Sequence, residues 1–316
     1  MQKIWHGVFW KIVSCGCFAG INVLVRFLSG GSPIPIATPL PIYSIMFFQN
    51  IIGVLVISSW LWQAKTINTK YLNTTRPWLH LLRIITAAIG ISLWYISLRC
   101  MPITQVVALS LIGPIITTVG AIVFLKEHFN LQRKIAVFLS IAGGFLIARP
   151  DKTLLHVAGY NWYMLLPLLA ASVFALEKLL TRKLLALKES SASLAWSLLA
   201  FISPLCLLPV FFYGWVKPDM THLPWLLLLG VLNALAHYTF NKAYALAEVT
   251  MLLPFGGAKL ILSAALSYFA FFEVPKSLDM WLGITVIALS TLVLGMSASF
   301  ISRMRLYFSL NQEVQN

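Results

Sequence analysis

The sequence predicts an all-α polytopic membrane protein, and three observations carry that prediction. Of 316 residues, 59% are hydrophobic and only 10% are charged, whereas soluble domains are ~45–50% apolar and ~25% charged. The mean hydropathy is +0.86. The apolar runs are continuous, not alternating, which excludes a membrane β-barrel and leaves helices of ~20 residues each. A net charge of +14 invites a nucleic-acid reading, but that needs a basic face on a water-exposed domain. No such domain is present, so the charge belongs to loops that hold the topology.

The runs divide into about ten spans. They cover residues 8–28, 40–62, 78–100, 103–125, 131–148, 160–182, 192–212, 223–246, 249–272 and 278–301, within a few residues. With Lys3 before it and Lys11 near its start, the first run resembles a signal peptide but continues past Gly20 to Leu28 and is long enough to span. Ser29 to Pro33 ends it, and Lys65 to Pro77 separates the second span from the third. Arg149-Pro-Asp-Lys152 ends the fifth, and Tyr213 to Pro218 ends the seventh. Met101-Pro102 and Ala247-Glu248 are the tightest joints. Cys15, Cys17, Cys100 and Cys206 lie in or beside apolar runs and read as buried thiols. Gly16 with Gly20, Ser140 with Gly144 and Ala148, and Gly295 with Ser299 recur at four-residue spacing, which lets helices approach closely.

The chain repeats itself. Placing Glu127 under Glu273 aligns Leu98-Arg-Cys-Met-Pro-Ile-Thr104 with Tyr244-Ala-Leu-Ala-Glu-Val-Thr250. Each stretch joins two apolar spans, and each Glu ends the second of them. Five spans then repeat as five. Five is odd, so the halves have opposite orientation, the pattern of an inverted-repeat transporter. Residues 1–150 form the first half, 151–159 a linker, 160–302 the second half and 303–316 a cytoplasmic tail. Lys and Arg concentrate on the side of the N-terminus, at Lys3, Lys65, Lys70, Lys126, Arg133, Lys183 and Arg303 among others. The far side carries fewer, including Arg26, Arg99, Arg149 and Lys217. Both termini are therefore expected in the cytoplasm. Trp5, Trp60, Trp78, Trp162, Trp215 and Trp225 sit near span ends, as an interfacial belt requires.

Several motifs carry a family likeness. Arg76-Pro-Trp-Leu-His-Leu-Leu-Arg83 leads into Leu93-Trp-Tyr-Ile-Ser-Leu-Arg-Cys-Met-Pro102, followed by Pro114, Leu125-Lys-Glu127 and Gly143-Gly-Phe-Leu-Ile-Ala-Arg-Pro150. The second half has Ala243-Tyr-Ala-Leu-Ala247, Leu253-Pro-Phe255, Phe271-Phe-Glu-Val-Pro275 and Gly283. In order and spacing these resemble the two EamA-type repeats of the drug/metabolite transporter superfamily, over roughly residues 8–300. The resemblance implies ten helices in two inverted five-helix repeats, a central cavity and transport of a small metabolite across a bacterial inner membrane. It is most similar to bacterial S-adenosylmethionine uptake carriers, while amino-acid exporters and riboflavin carriers share much of the pattern. Two positions depart from it: the second span reads Phe47-Phe48-Gln49 where Phe-Phe-Arg is common, and the ninth reads Pro254-Phe255-Gly256-Gly257 where Pro-Phe-x-Tyr is common.

Polar groups inside a bilayer are costly and face the protein interior, which makes them the candidate substrate contacts. Asn233, His237, Asn241 and Tyr244 follow one helical face of the eighth span. They line a cavity or form a hydrogen-bonded seam between helices. Asn241 aligns with Tyr95 in the repeat, which adds Trp94 and Tyr95, the alternative for Trp94 being the aromatic belt. Lys259 stands about ten residues into the ninth span, ~15 Å deep, and must be paired, hydrated or facing a ligand. Glu177 is the one acid well inside a span. It meets a substrate amine, shuttles a proton, or pairs with Lys178 or Arg182. Asn22 and Gln49 complete the set. Glu127 and Glu273 read as structural, at positions where a carboxylate suits exposed helix N–H groups.

An enzyme is not expected. There is no His-Glu-x-x-His, Asp151, Asp219 and Asp279 are solitary, and no phosphate-binding glycine loop or nucleotide domain is present. No cofactor and no metal site are expected, and the expected partners are a small-molecule substrate and the lipid bilayer. The competing class is a non-transporting scaffold or receptor, in which Lys259, Asn241 and His237 pair within a dry core. The oligomeric state stays open.

Overall fold

A computed structural model describes residues 2–34, 36, 38–63, 76–110, 112–125, 131–148, 163, 165–272 and a few positions between 278 and 290. All regular structure among these is helical: α1 (Gln2–Leu28), α2 (Ile42–Gln63), α3 (Pro77–Cys100), α4 (Ile103–Leu109), α5 (Ile112–Leu125) and α6 (Leu131–Ala148). After the gap come α7 (Leu165–Ala186), α8 (Ser191–Leu205), α9 (Val210–Tyr213), α10 (Leu223–Leu246), α11 (Val249–Leu252), a 3₁₀ turn (Pro254–Gly257) and α12 (Ala258–Phe271).

Local chemistry sets these bounds. Pro77 opens α3 at a position where no intrahelical N–H is lost. Met101 ends α3 in an extended conformation, φ −138° and ψ 153°, which the following proline favours. The Ser190 hydroxyl caps α8 by accepting from Ser193 N at 3.0 Å. Among the described residues, five stretches are long and apolar enough to cross a membrane: Trp5–Leu28, Ile42–Trp60, Pro77–Cys100, Ser191–Tyr213 and Leu223–Leu246. No more than half of the most apolar window of each is buried, which leaves the other face for lipid.

Two pairs of helices share the offset of 146 residues. Adding 146 to both ends of α3 gives the ends of α10, and the same shift carries α5 onto α12. Ala247 leaves α10 at φ −143° and ψ 157°, close to Met101, although no proline follows it. Three expected spans are not single helices. Residues 103–125 divide near Ser110 into α4 and α5, and 249–272 divides at Pro254, which supplies no N–H to continue the ladder. The run 192–212 stops at Leu205 and restarts after Pro209 for the same reason. Most of the tenth span, Glu127, Glu273, the linker 151–159 and the tail 303–316 lie outside the described residues.

Helix α1 packs most extensively on α10 and also on α12, α3 packs on α7, and α2 lies against α10 and α8. Their inner faces enclose the largest apolar core, which includes Leu28, Leu98, Ile202, Leu229 and Leu260. The small-residue stripe of α1 faces these partners: Gly16 points at Leu262 and Gly20 at Leu232. Trp5, Trp60, Trp78, Trp215 and Trp225 are exposed, as a lipid interface allows. One cysteine expectation is corrected. Cys15 and Cys206 are buried and Cys17 is half-buried, but Cys100 is exposed because it ends α3 beyond the packed core.

Candidate functional site

A cavity of about 180 Å³ opens where α1, α3, α7 and α10 converge on the two interrupted segments. From α1 it receives Lys11, Cys15, Phe18 and Asn22, and from α10 it receives Asn233, His237, Phe240 and Tyr244. Both sets step 4, 3 and 4 residues along the chain, which keeps side chains on one stripe at 3.6 residues per turn. Trp94 and Tyr95 come from α3, and Phe174, Glu177 and Lys178 come from α7. The breaks supply Ser110, Gly113 and Pro114 on one side and Leu253, Gly256 and Gly257 on the other, followed by Lys259. A Cβ added at Gly256 would meet nothing within 4 Å, so this glycine leaves room.

Hydrogen bonds hold the wall. Asn22 is the hub: its Oδ1 accepts from Trp94 Nε1 at 3.0 Å, and its Nδ2 reaches Ser263 Oγ at 3.4 Å. The Trp94 ring in turn carries the Lys259 ammonium 4.2 Å from its centroid, with Phe18 at 5.6 Å. Lys11 repeats the arrangement on the other side. Its Nζ lies 4.8 Å from the Phe240 ring and 5.0 Å from the Tyr244 ring, and donates to Tyr244 Oη at 3.4 Å. A cation on an aromatic face gains ~2 kcal/mol when desolvated. The sequence left Lys259 paired, hydrated or facing a ligand, and in the structure its ammonium rests on an indole face. Among the described residues no carboxylate lies within ion-pair distance of Lys259.

Glu177 is buried and accepts from Thr181 Oγ1 at 2.8 Å. The cations whose fields reach it are Arg83, Lys178 and Lys11. Arg83 is fully buried. Its Nη2 donates to Leu194 O at 2.9 Å and Ser197 Oγ at 3.0 Å, while Nε and Nη1 have no hydrogen-bond partner among the described residues. Arg182, named from sequence as a possible partner of Glu177, donates to the Tyr244 carbonyl.

Of the residues singled out from sequence, Asn22, Trp94, Tyr95, Glu177, Asn233, His237, Tyr244 and Lys259 line this cavity. His237 meets the Phe18 ring edge-on, 5.5 Å away. Two do not line it. Gln49 lies behind Tyr95 and accepts from its hydroxyl at 2.8 Å. Asn241 turns toward α8 and donates to Ser191 O at 3.2 Å. The geometry explains this. At ~100° per residue Asn241 stands about 80° around α10 from Asn233, while Phe240 stands only about 20° away. Phe240 therefore takes the cavity position that the sequence reading assigned to Asn241.

Sequence reasoning missed Lys11, Phe18, Phe174, Lys178 and Phe240. The spacing of Lys11, Cys15, Phe18 and Asn22 would have found the face of α1, but Lys11, near the start of the first span, was not weighed as a candidate. Lys178 was hidden by its neighbour Glu177. Phenylalanines carry no signal in a chain this apolar.

Residues 5–149 match the EamA-like transporter family. A riboflavin transporter of Vibrio cholerae is 32% identical over 90% of this chain and 91% of its own length. A riboflavin transporter of Rhizobium johnstonii is 28% identical over 90% and 89%. An S-adenosylmethionine uptake transporter of Rickettsia bellii is 26% identical over 85% and 86%. A solved crystal structure superposes with a TM-score of 0.70 across 90% of this chain and 98% of the other, at 16% identity, which shows the fold alone.

Proposed function

Because this chain belongs to the EamA-like transporter family and is a multi-pass membrane transporter of small molecules, we propose that its cargo is a flat aromatic metabolite of the riboflavin class. The observation that carries this reading is the make-up of the cavity: aromatic walls from Phe18, Trp94, Phe174, Phe240 and Tyr244, with lysine and amide donors between them. A flavin ring stacks on aromatic side chains. Its ring carbonyls and nitrogens accept hydrogen bonds from ammonium and amide groups.

S-adenosylmethionine, the first substrate suggested by sequence, is the competing reading. It carries a sulfonium, an ammonium and one carboxylate, a net positive charge, and this cavity presents Lys11, Lys178 and Lys259 against one carboxylate, Glu177. Like charges brought together cost several kcal/mol. The Trp94 face that would stack under a sulfonium is already covered by Lys259.

Transport proceeds by alternating access of two inverted halves in the inner membrane, with both termini in the cytoplasm. The shared bounds of α3 with α10 and of α5 with α12 support the two halves. The interrupted segments at Ser110 and Pro254 are the points where each half bends. Glu177 and His237 are the groups available for proton coupling.

The test is uptake of labelled riboflavin and labelled S-adenosylmethionine by a bacterial strain that can neither make riboflavin nor import either compound. Growth on micromolar riboflavin and riboflavin uptake, lost in Trp94→Ala at equal membrane expression, are expected. S-adenosylmethionine uptake without riboflavin uptake would overturn the flavin reading.

A further inference from the structure

Lys11, Lys178 and Lys259 line one cavity with a single carboxylate, Glu177. The side chains whose fields reach Lys259 are Lys178, Cys15 and Lys11, with no carboxylate among them. Lys178 feels Lys11 and Glu177. Glu177 is shared further, because Arg83 is the cation that acts on it most strongly. The Cys15 thiol lies in the field of all three lysines and lines the same cavity. Three lysines thus share the cavity with one carboxylate, on which Arg83 also draws from outside it, and such an excess of buried positive charge is costly unless an anion joins it.

We propose that Lys11, Lys178 and Lys259 form an anion subsite beside Cys15, and that the aromatic cargo carries a phosphomonoester there. This rests on the flavin reading and narrows it. A phosphomonoester holds ~1.5–2 negative charges at pH 7 and three terminal acceptor oxygens, which suits an excess of cations and three separate ammonium donors. Lysine serves phosphate as a point charge that can turn toward it. A carboxylate would answer less of the charge and has only two oxygens. The aromatic walls are contiguous with the subsite, since Lys259 rests on Trp94 and Lys11 on Phe240 and Tyr244. An anion arriving between them draws the ammonium groups off the rings and frees those faces for a heterocycle.

The test compares riboflavin with riboflavin 5′-phosphate, titrated by flavin fluorescence into the purified full-length protein. The phosphate ester is expected to bind at least ~10-fold tighter, the equivalent of one charge-assisted hydrogen bond. In Lys178→Gln and Lys259→Gln the affinity ratio falls toward one, while Lys178→Arg keeps most of it and reports that the fold is intact. Equal affinities in the unaltered protein, or a ratio that survives both Gln variants, would overturn the subsite. A second arm retains Cys15 as the sole cysteine and follows its maleimide labelling with phenyl phosphate or inorganic phosphate present. Slowed labelling without binding of either flavin keeps the anion subsite and removes the flavin reading. Riboflavin binding and transport with no preference for the ester does the reverse. If neither flavin binds and labelling is not slowed, both fail.

Discussion

Replacing Asn22 by leucine tests whether the Trp94 indole is held for the substrate. The two side chains are close in size, and Asn22 is 2% exposed and Trp94 4%, so the change acts through hydrogen bonding. It removes the acceptor of a 3.0 Å bond and leaves the indole N–H at a cavity wall. A stranded buried donor costs ~1–3 kcal/mol. Here part is recovered, because 180 Å³ has room for water, whose share of liquid volume is ~30 Å³. About 1–2 kcal/mol is then left to pull the ring out of its bound orientation. A binding-competent state depopulated by that amount weakens the apparent affinity roughly 5- to 30-fold. The assay is riboflavin titration of the purified protein, run as a cycle with Trp94→Phe. Phenylalanine has no N–H, so Asn22→Leu should cost much less in that background, with a coupling of at least ~1 kcal/mol. Additivity within ~0.5 kcal/mol would show that the bond does not position the ring.

Three further outcomes are expected. Gly230→Ala places a Cβ 2.5 Å from Ile52 Cβ; a β-branched side chain cannot rotate away, so α2 and α10 must separate at ~1–3 kcal/mol. An unchanged thermal midpoint in detergent would contradict that crossing. His222→Ala removes a clip between two loops, in which Nε2 meets Thr38 O at 2.8 Å and Nδ1 accepts from Asp219 N at 3.1 Å. A loss of about 1–2 kcal/mol in stability, with faster proteolysis at residues 214–222, is expected, and protease resistance equal to the unaltered protein counts against it. If Glu177 or His237 carries the coupling proton, Glu177→Gln or His237→Gln abolishes the stimulation of uptake by an inward proton gradient. Full gradient dependence in both variants eliminates that route.

Much of the architecture was legible because a bilayer imposes a simple rule. Backbone groups in hydrocarbon must be paired within a helix, so length and hydropathy alone mark the spans. The same rule made Asn22, Trp94, Tyr95, Glu177, Asn233, His237, Tyr244 and Lys259 conspicuous, since polar or amphipathic groups at that depth turn inward. The repeat was readable from Leu98–Thr104 against Tyr244–Thr250, and its offset is the one that carries α3 onto α10. What escaped were the places where depth does not specify direction. Lys11 lies near the start of the first span by sequence, which does not say where it points, and is a buried cavity residue by packing. Gln49 and Asn241 turn inward too, but toward Tyr95 and Ser191 and not the cavity.

The amino-acid sequence by itself determined that this is a helical membrane protein with a repeated pattern of spans, because those properties follow from hydrophobicity summed over ~20 residues. Only the tertiary structure decided which groups share the cavity and what partners them. Lys259 had to be paired, hydrated or facing a ligand on grounds of depth alone. That the partner is the face of Trp94, itself held by Asn22 from a third helix, depends on how α1, α3 and α12 are rotated against one another. That rotation is set by close packing over the whole interface, to which each residue contributes little and which no local run of sequence encodes.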